Sequence, residues 1–241
     1  MLFLQTVFQH AYYSLPDRFL HKLLKFWQGY AWFSPSFSQE GEDILLARIF
    51  ERQKHGFYVD VGANHPIRLS NTYRFYLKGW RGINIEPLPE AKKLFDKYRK
   101  RDINLSVGIS MQSGMLNYYE FNHSPLNTFS KEEAEKKQAI RGNRLIAIRQ
   151  IPTFPLAYIL EKHLPPNQNI DFLTIDTEGF DLVVLQSNDW TRFRPTYILV
   201  EALSSSLHTL SENPIYQFLS SRGYECFAKI FHTLFFKKVL V

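Results

Sequence analysis

Asp60 and Gly62 close one apolar run, FYVDVG at 57–62, and Glu86 closes the next, GINIE at 82–86. In α/β proteins, two neighbouring parallel strands with these endings make a nucleoside pocket. The turn after the first strand approaches the ligand, and the carboxylate ending the second grips the ribose hydroxyls. Gly62 and Glu86 are 24 positions apart, close to the ~20 residues of one strand–helix–strand unit. A dinucleotide would need G-x-G-x-x-G, so that backbone can reach its pyrophosphate. Here Gly62 is followed by Asn64, His65 and Pro66, and proline removes a donor. A nucleoside without phosphate, carrying a positive sulfonium that tolerates Asp and Glu, fits better: S-adenosylmethionine rather than NAD.

A second constellation lies in IDTEGFDLVVL at 175–185. Asp176 ends a buried apolar strand and Glu178 opens the following turn. Asp176 is the first candidate for the general base that takes a proton from an alcohol acceptor, and Glu178 for orienting that hydroxyl or the base. The competing reading caps helix 180–187, which suits Asp181 near its N-terminus. His65, on the loop after the first strand, is the second candidate base. Ser106 and Val107 end the third strand, where an adenine would rest. His208 reads as an exposed loop residue. No metal is expected, because Asp176 and Glu178 supply oxygen ligands without a third.

These segments resemble the FkbM-type S-adenosylmethionine-dependent methyltransferases: SQEGED at 38–43, VDVGAN at 59–64, NIEP at 84–87 and IDTEGFDLVVL. VDVGAN is moderately specific alone; paired with I-D-x-E-G-F-D about 110 residues later it is strong. The resemblance implies that Gly62 lies against the methionine moiety, that Asn64 positions it, and that Gln39 and Asp43 line the donor pocket. It also implies O-methylation of a sugar, glycan or other polar small molecule. Two positions depart from the family pattern. Many members read G-A-N-x-G where Gly62–Pro66 stand, and many carry Lys in place of Thr174.

The elements that must position these residues alternate strand and helix through 241 residues, which suits one α/β core. Strands are expected at 57–61, 82–86, 103–109, 171–176 and 196–201. The runs Tyr224–Ile230 and Thr233–Val239 should add an antiparallel final pair. The expected fold is a Rossmann-like class I methyltransferase: a mostly parallel seven-stranded sheet with an antiparallel last strand and helices on both faces. Ser38 reads as the cap of a helix through Ile49. Residues 115–121 and 145–151 read as an extra β element around a charged insert, Lys131–Arg144, that covers the acceptor site. There Glu132/Lys136 and Glu133/Lys137 are i,i+4 pairs.

The single cysteine, Cys226, excludes a disulfide scaffold and fits a reducing compartment, the cytoplasm. A net charge of +6 comes in part from Lys92, Lys93, Lys97, Arg99, Lys100 and Arg101. They read as a solvated helix face, so no nucleic-acid partner is expected. Residues 1–37 form an N-terminal extension before a 38–241 methyltransferase domain. It lacks the pattern of a signal peptide. Its residues 17–28 are amphipathic and basic, suited to packing over the domain or to peripheral contact with an anionic membrane. Two other functions remain open on sequence alone: a non-catalytic membrane-associated binding protein, and a nicotinamide-dependent oxidoreductase.

Overall fold

A computed structural model describes residues 34–202 and 206–239. The expected helix at 17–28 lies outside them. All elements below fall within one unit, Phe37–Val241. Helix α1 (Glu42–Ile49) leads to β1 (Phe57–Val61), α2 (Tyr73–Leu77), β2 (Arg81–Ile85), α3 (Pro89–Tyr98) and β3 (Ile103–Leu105). Next come β4 (Gly108–Ile109), β5 (Gly114–Phe121), α4 (Lys131–Gln138) and β6 (Leu145–Phe154). The chain continues through α5 (Leu156–His163), β7 (Phe172–Ile175), α6 (Asp181–Gln186), β8 (Tyr197–Glu201), α7 (Pro214–Ser221), β9 (Tyr224–Ile230) and β10 (Thr233–Lys238). Among the described residues, no helix is long and apolar enough to cross a membrane.

Seven strands form one sheet in the order β3-β2-β1-β7-β8-β10-β9, with β10 antiparallel to both neighbours. β1 lies inside it, between β2 and β7, and is buried along its whole length. Its residues alternate between two cores, as strand geometry demands. Val59 and Val61 join Ile83, Ile175 and Val200 against Leu156 of α5, Leu185 of α6 and Leu219 of α7. Tyr58 faces the other way, into an aromatic layer of Phe50, Phe75, Trp80, Phe172 and Phe235. Burying both faces is why these strands read as apolar runs rather than alternating ones.

Three local expectations change. The run 103–109 is two strands, because the chain leaves the main sheet after Leu105 and β4 pairs with β6 in a separate three-stranded sheet. Gly41, not Ser38, is the N-cap of α1. Ser38 instead folds over that helix start and accepts from the Asp43 amide. The third change concerns Arg99, which is not on a solvated face: it is fully buried.

Arg99 ends α3 and pairs with Asp102 at 3.0 Å, both side chains wholly shielded. Its guanidinium also donates to the Pro66 carbonyl, Thr72 Oγ1 and the Tyr58 hydroxyl. Thr72 in turn donates to Asp60 Oδ2 at 2.8 Å. One cation thus ties α3 to the loop after β1. Arg99→Leu leaves Asp102 buried without its ion partner, so we expect about 3–5 kcal/mol of lost stability in urea denaturation. A loss below about 1 kcal/mol would mark the pair as incidental.

Candidate active site

Strand order reverses between β1 and β7, and open α/β sheets bind ligands at such a switch point, beyond the carboxyl ends of the strands. Register fixes which residues meet there. Val61 pairs with Ile85 on one side and Ile175 on the other, Ile85 with Leu105, and Ile175 with Val200. One step further along each strand, Ser106, Glu86, Gly62, Asp176 and Glu201 stand in a row. Thr233 of β10 extends it, paired with Glu201. Neighbouring strands lie about 4.8 Å apart, so the row spaces Glu86 and Asp176 either side of Gly62.

Above the row is an open cleft lined by Gly62, Glu86, Val107, Asp176 and Glu178, where such sheets take their ligands. Gly62 has φ 81°, and a Cβ there would overlap the Asp176 carbonyl oxygen. Only glycine permits that approach. For Gly62→Ala we expect at least about 3 kcal/mol of destabilisation, from positive φ together with the clash. A midpoint unchanged in urea would show that β1 and β7 can part at no cost.

The loop that follows consumes its own amides. Gly62 and Ala63 donate to the Ile85 carbonyl, and His65 to the Ala63 carbonyl. Asn64 donates to Glu86 Oε2 at 2.9 Å, and Ile67 and Arg68 donate to His65 Nδ1. With Pro66 in the series, no N–H between Gly62 and Arg68 is left to cradle a pyrophosphate.

Glu86 is 5% exposed yet lines the cleft. Burial raises its pKa to about 7, against the pull of the Leu88 and Asn64 amides. Beside it the wall is apolar: Ile85, Val107, Ile109, Tyr118 and Phe129. A buried carboxylate beside an apolar slot, with phosphate contacts excluded, matches the adenosine part of S-adenosylmethionine. Glu86 would hold its ribose, and Val107, Tyr118 and Phe129 its base.

The opposite end is acidic. Asp176, Glu178 and Glu201 each bring a carboxylate oxygen within 4.8 Å of the others. Asp176 is exposed to the cleft, and its carboxyl is raised by desolvation there and then by the charges of Glu178 and Asp181. Burial likewise raises Glu201, helped by Asp176 and Glu178; its Oε2 is enclosed without a hydrogen-bond partner. Where the sequence offers two oxygen ligands, the fold adds a third from β8, and among the described residues these three could hold a hard cation. Gln39, Asn71, Thr174 and His232 complete this end of the wall, with Asn71 Nδ2 donating to Thr174 Oγ1.

Of the residues singled out in the sequence, Gln39, Gly62, Asn64, Glu86, Val107, Asp176 and Glu178 line the cleft. Four others do not. His65 turns into its own loop, where Nδ1 already accepts two amides, and burial lowers its pKa to about 4. Asp60 points to the Tyr58 side of β1 and accepts from Thr72; burial raises it to about 6. Asp43 organises the start of α1, accepting from the Phe37 amide, Ser38 and Arg74. Ser106 donates to the Pro87 carbonyl. His208 is exposed.

Glu201, His232, Asn71 and the aromatic pair Tyr118/Phe129 escaped sequence reasoning. Glu201 carried a signal, being an acidic strand end like Asp176. The others reach the cleft from hairpins and inserts whose path no local pattern specifies.

Seven strands in this order, with a cleft at the switch point of the sheet, make the Rossmann-like fold of class I methyltransferases. A sequence model described as the methyltransferase FkbM domain matches residues 60–226, well over half the chain. The protein belongs to that family. Among solved structures, the chain is similar to precorrin-6y C5,15-methyltransferase from Geobacter metallireducens GS-15 at 13% identity, covering 86% of this chain and 93% of that one, TM-score 0.39. It is also similar to a proposed O-methyltransferase from Klebsiella pneumoniae at 11% identity, covering 98% and 97%, TM-score 0.42. No curated protein matches the chain.

Proposed function

We propose that this methyltransferase uses S-adenosylmethionine to methylate a hydroxyl of a sugar, a glycan or another polar small molecule. The observation that carries the reading is the row Glu86, Gly62, Asp176 at the strand ends, a ribose-gripping acid on one side and a proton-accepting acid on the other. The donor supplies a methyl carbon already activated by its sulfonium. Glu86 holds the sugar end of that donor, Gly62 lets it lie close to the sheet, and Asp176 receives the acceptor's proton. A carboxylate with a raised pKa is a stronger base than an ordinary one, and such a base contributes ~10²–10⁴-fold. Alignment and exclusion of water supply most of the rest.

The acid wall of Asp176, Glu178 and Glu201 disfavours phosphorylated or carboxylated acceptors and suits a donor-rich polyol. Incubation with methyl-labelled S-adenosylmethionine and a panel of methyl pyranosides and glycan extracts tests this. We expect label on oxygen, located by mass spectrometry. Label on nitrogen or carbon would reassign the acceptor, and a calorimetric preference for NAD would overturn the donor.

A further inference from the structure

Lys137 was expected on the surface, paired with Glu133. Its side chain is instead only 9% exposed, against 59% for the adjacent Lys136, which takes both Glu132 and Glu133. From α4, the Lys137 ammonium reaches Glu178 Oε2 at 2.7 Å and the Leu126 carbonyl at 3.1 Å. Thr128, just before the insert, donates its hydroxyl to the Glu178 carbonyl at 2.9 Å and accepts from the Ser130 amide, and the Ser130 side chain caps α4. Both the side chain and the backbone of Glu178 are therefore held from the insert.

That grip falls on a strained residue. Glu178 has φ 54° and Gly179 follows at φ 94°; a left-handed non-glycine costs about 1–3 kcal/mol and persists only where its surroundings impose it. The groups facing Glu178 are Lys137 and Glu133 of α4, Asp181 of α6, Asp176 after β7, Glu201 of β8 and Tyr118 of β5. Among these groups of the described residues, Lys137 brings the positive charge.

We propose that Lys137 is a positioning residue for the transfer step, clamping the insert onto the turn after β7 and fixing the Glu178 carboxylate on the cleft wall beside Asp176. The proposal rests on the methyl-transfer reading above. Its physical content is geometric: one buried ammonium, shared between the Glu178 carboxylate and the Leu126 carbonyl, holds Glu178 in place on the wall beside Asp176.

The test uses the full chain. In Lys137→Met, transfer to a methyl pyranoside should fall about 10²-fold in kcat/KM for the acceptor. S-adenosylmethionine affinity should stay within about threefold, and Lys137→Arg should restore most of the turnover because the charge returns. Amide hydrogen exchange at residues 126–138 should quicken in Lys137→Met and recover in Lys137→Arg. Unchanged exchange there overturns the proposal, as does a donor affinity that falls in step with turnover. Should Lys137→Met not fold, Thr128→Val removes the second grip, and unchanged turnover there is equally fatal. Absence of transfer by the wild-type protein would instead sink the methyl-transfer reading, while the exchange at 126–138 still decides the clamp.

Discussion

Glu86→Ala is expected to weaken S-adenosylmethionine binding by at least about 100-fold. Two ribose hydroxyls donating to one carboxylate are worth ~1.5–3 kcal/mol each, and 1.4 kcal/mol is tenfold in affinity. Because Glu86 also accepts from the Asn64 and Leu88 amides, alanine strands two buried donors. Glu86→Gln, which keeps an acceptor, separates binding from folding. Calorimetry on both variants, with thermal unfolding as control, reads the result. Unchanged affinity would remove Glu86 from the site.

The same carboxyl predicts a pH dependence. Its folded pKa is raised from 4.5 to about 7, so the folded protein holds a proton that the unfolded chain releases. Glu86 thus favours the free fold at low pH, and that contribution is lost as pH rises from about 4.5 to 7. Donor binding runs the other way, since the ribose hydroxyls need an ionised acceptor. Affinity should climb as pH rises through about 7, by up to about tenfold per unit below it, and flatten in Glu86→Gln. Equal affinity at pH 5.5 and 8 would show that the acid is not the ribose acceptor.

Asp176→Asn carries the second large effect: turnover down ~10²–10⁴-fold with donor affinity nearly intact. Desolvation in the cleft, then the charges of Glu178 and Asp181, raise this acid above the ordinary carboxylate range, which makes it a stronger base. Wild-type kcat/KM should rise with pH along a limb that disappears in the asparagine variant. Equal losses of turnover and donor affinity would make Asp176 a donor contact instead of the base.

The strands of the main sheet were legible because both faces are buried and their sequences are near-continuous apolar runs. Where an acid or glycine ended such a run, as at Glu86, Gly62 and Asp176, its place on the cleft followed from chain direction alone. His65 misled for a related reason. A histidine on the right loop looks like a base, but its Nδ1 satisfies two amides of that loop, a bond pattern set by local three-dimensional geometry. Lys137 misled by helical spacing, which describes a free helix and not one packed against Glu178.

By itself, the sequence determined a central parallel sheet, the strand-end residues Gly62, Glu86 and Asp176 that line its cleft, and the family. Tertiary structure alone decided that Glu201 joins Asp176 and Glu178, that Arg99 is buried, and that the insert grips the acid end of the cleft. The division has a physical cause. Strand burial and strand-end chemistry are written within a few neighbouring residues, whereas a carboxylate cluster or a buried ion pair forms between positions tens of residues apart and depends on register and packing.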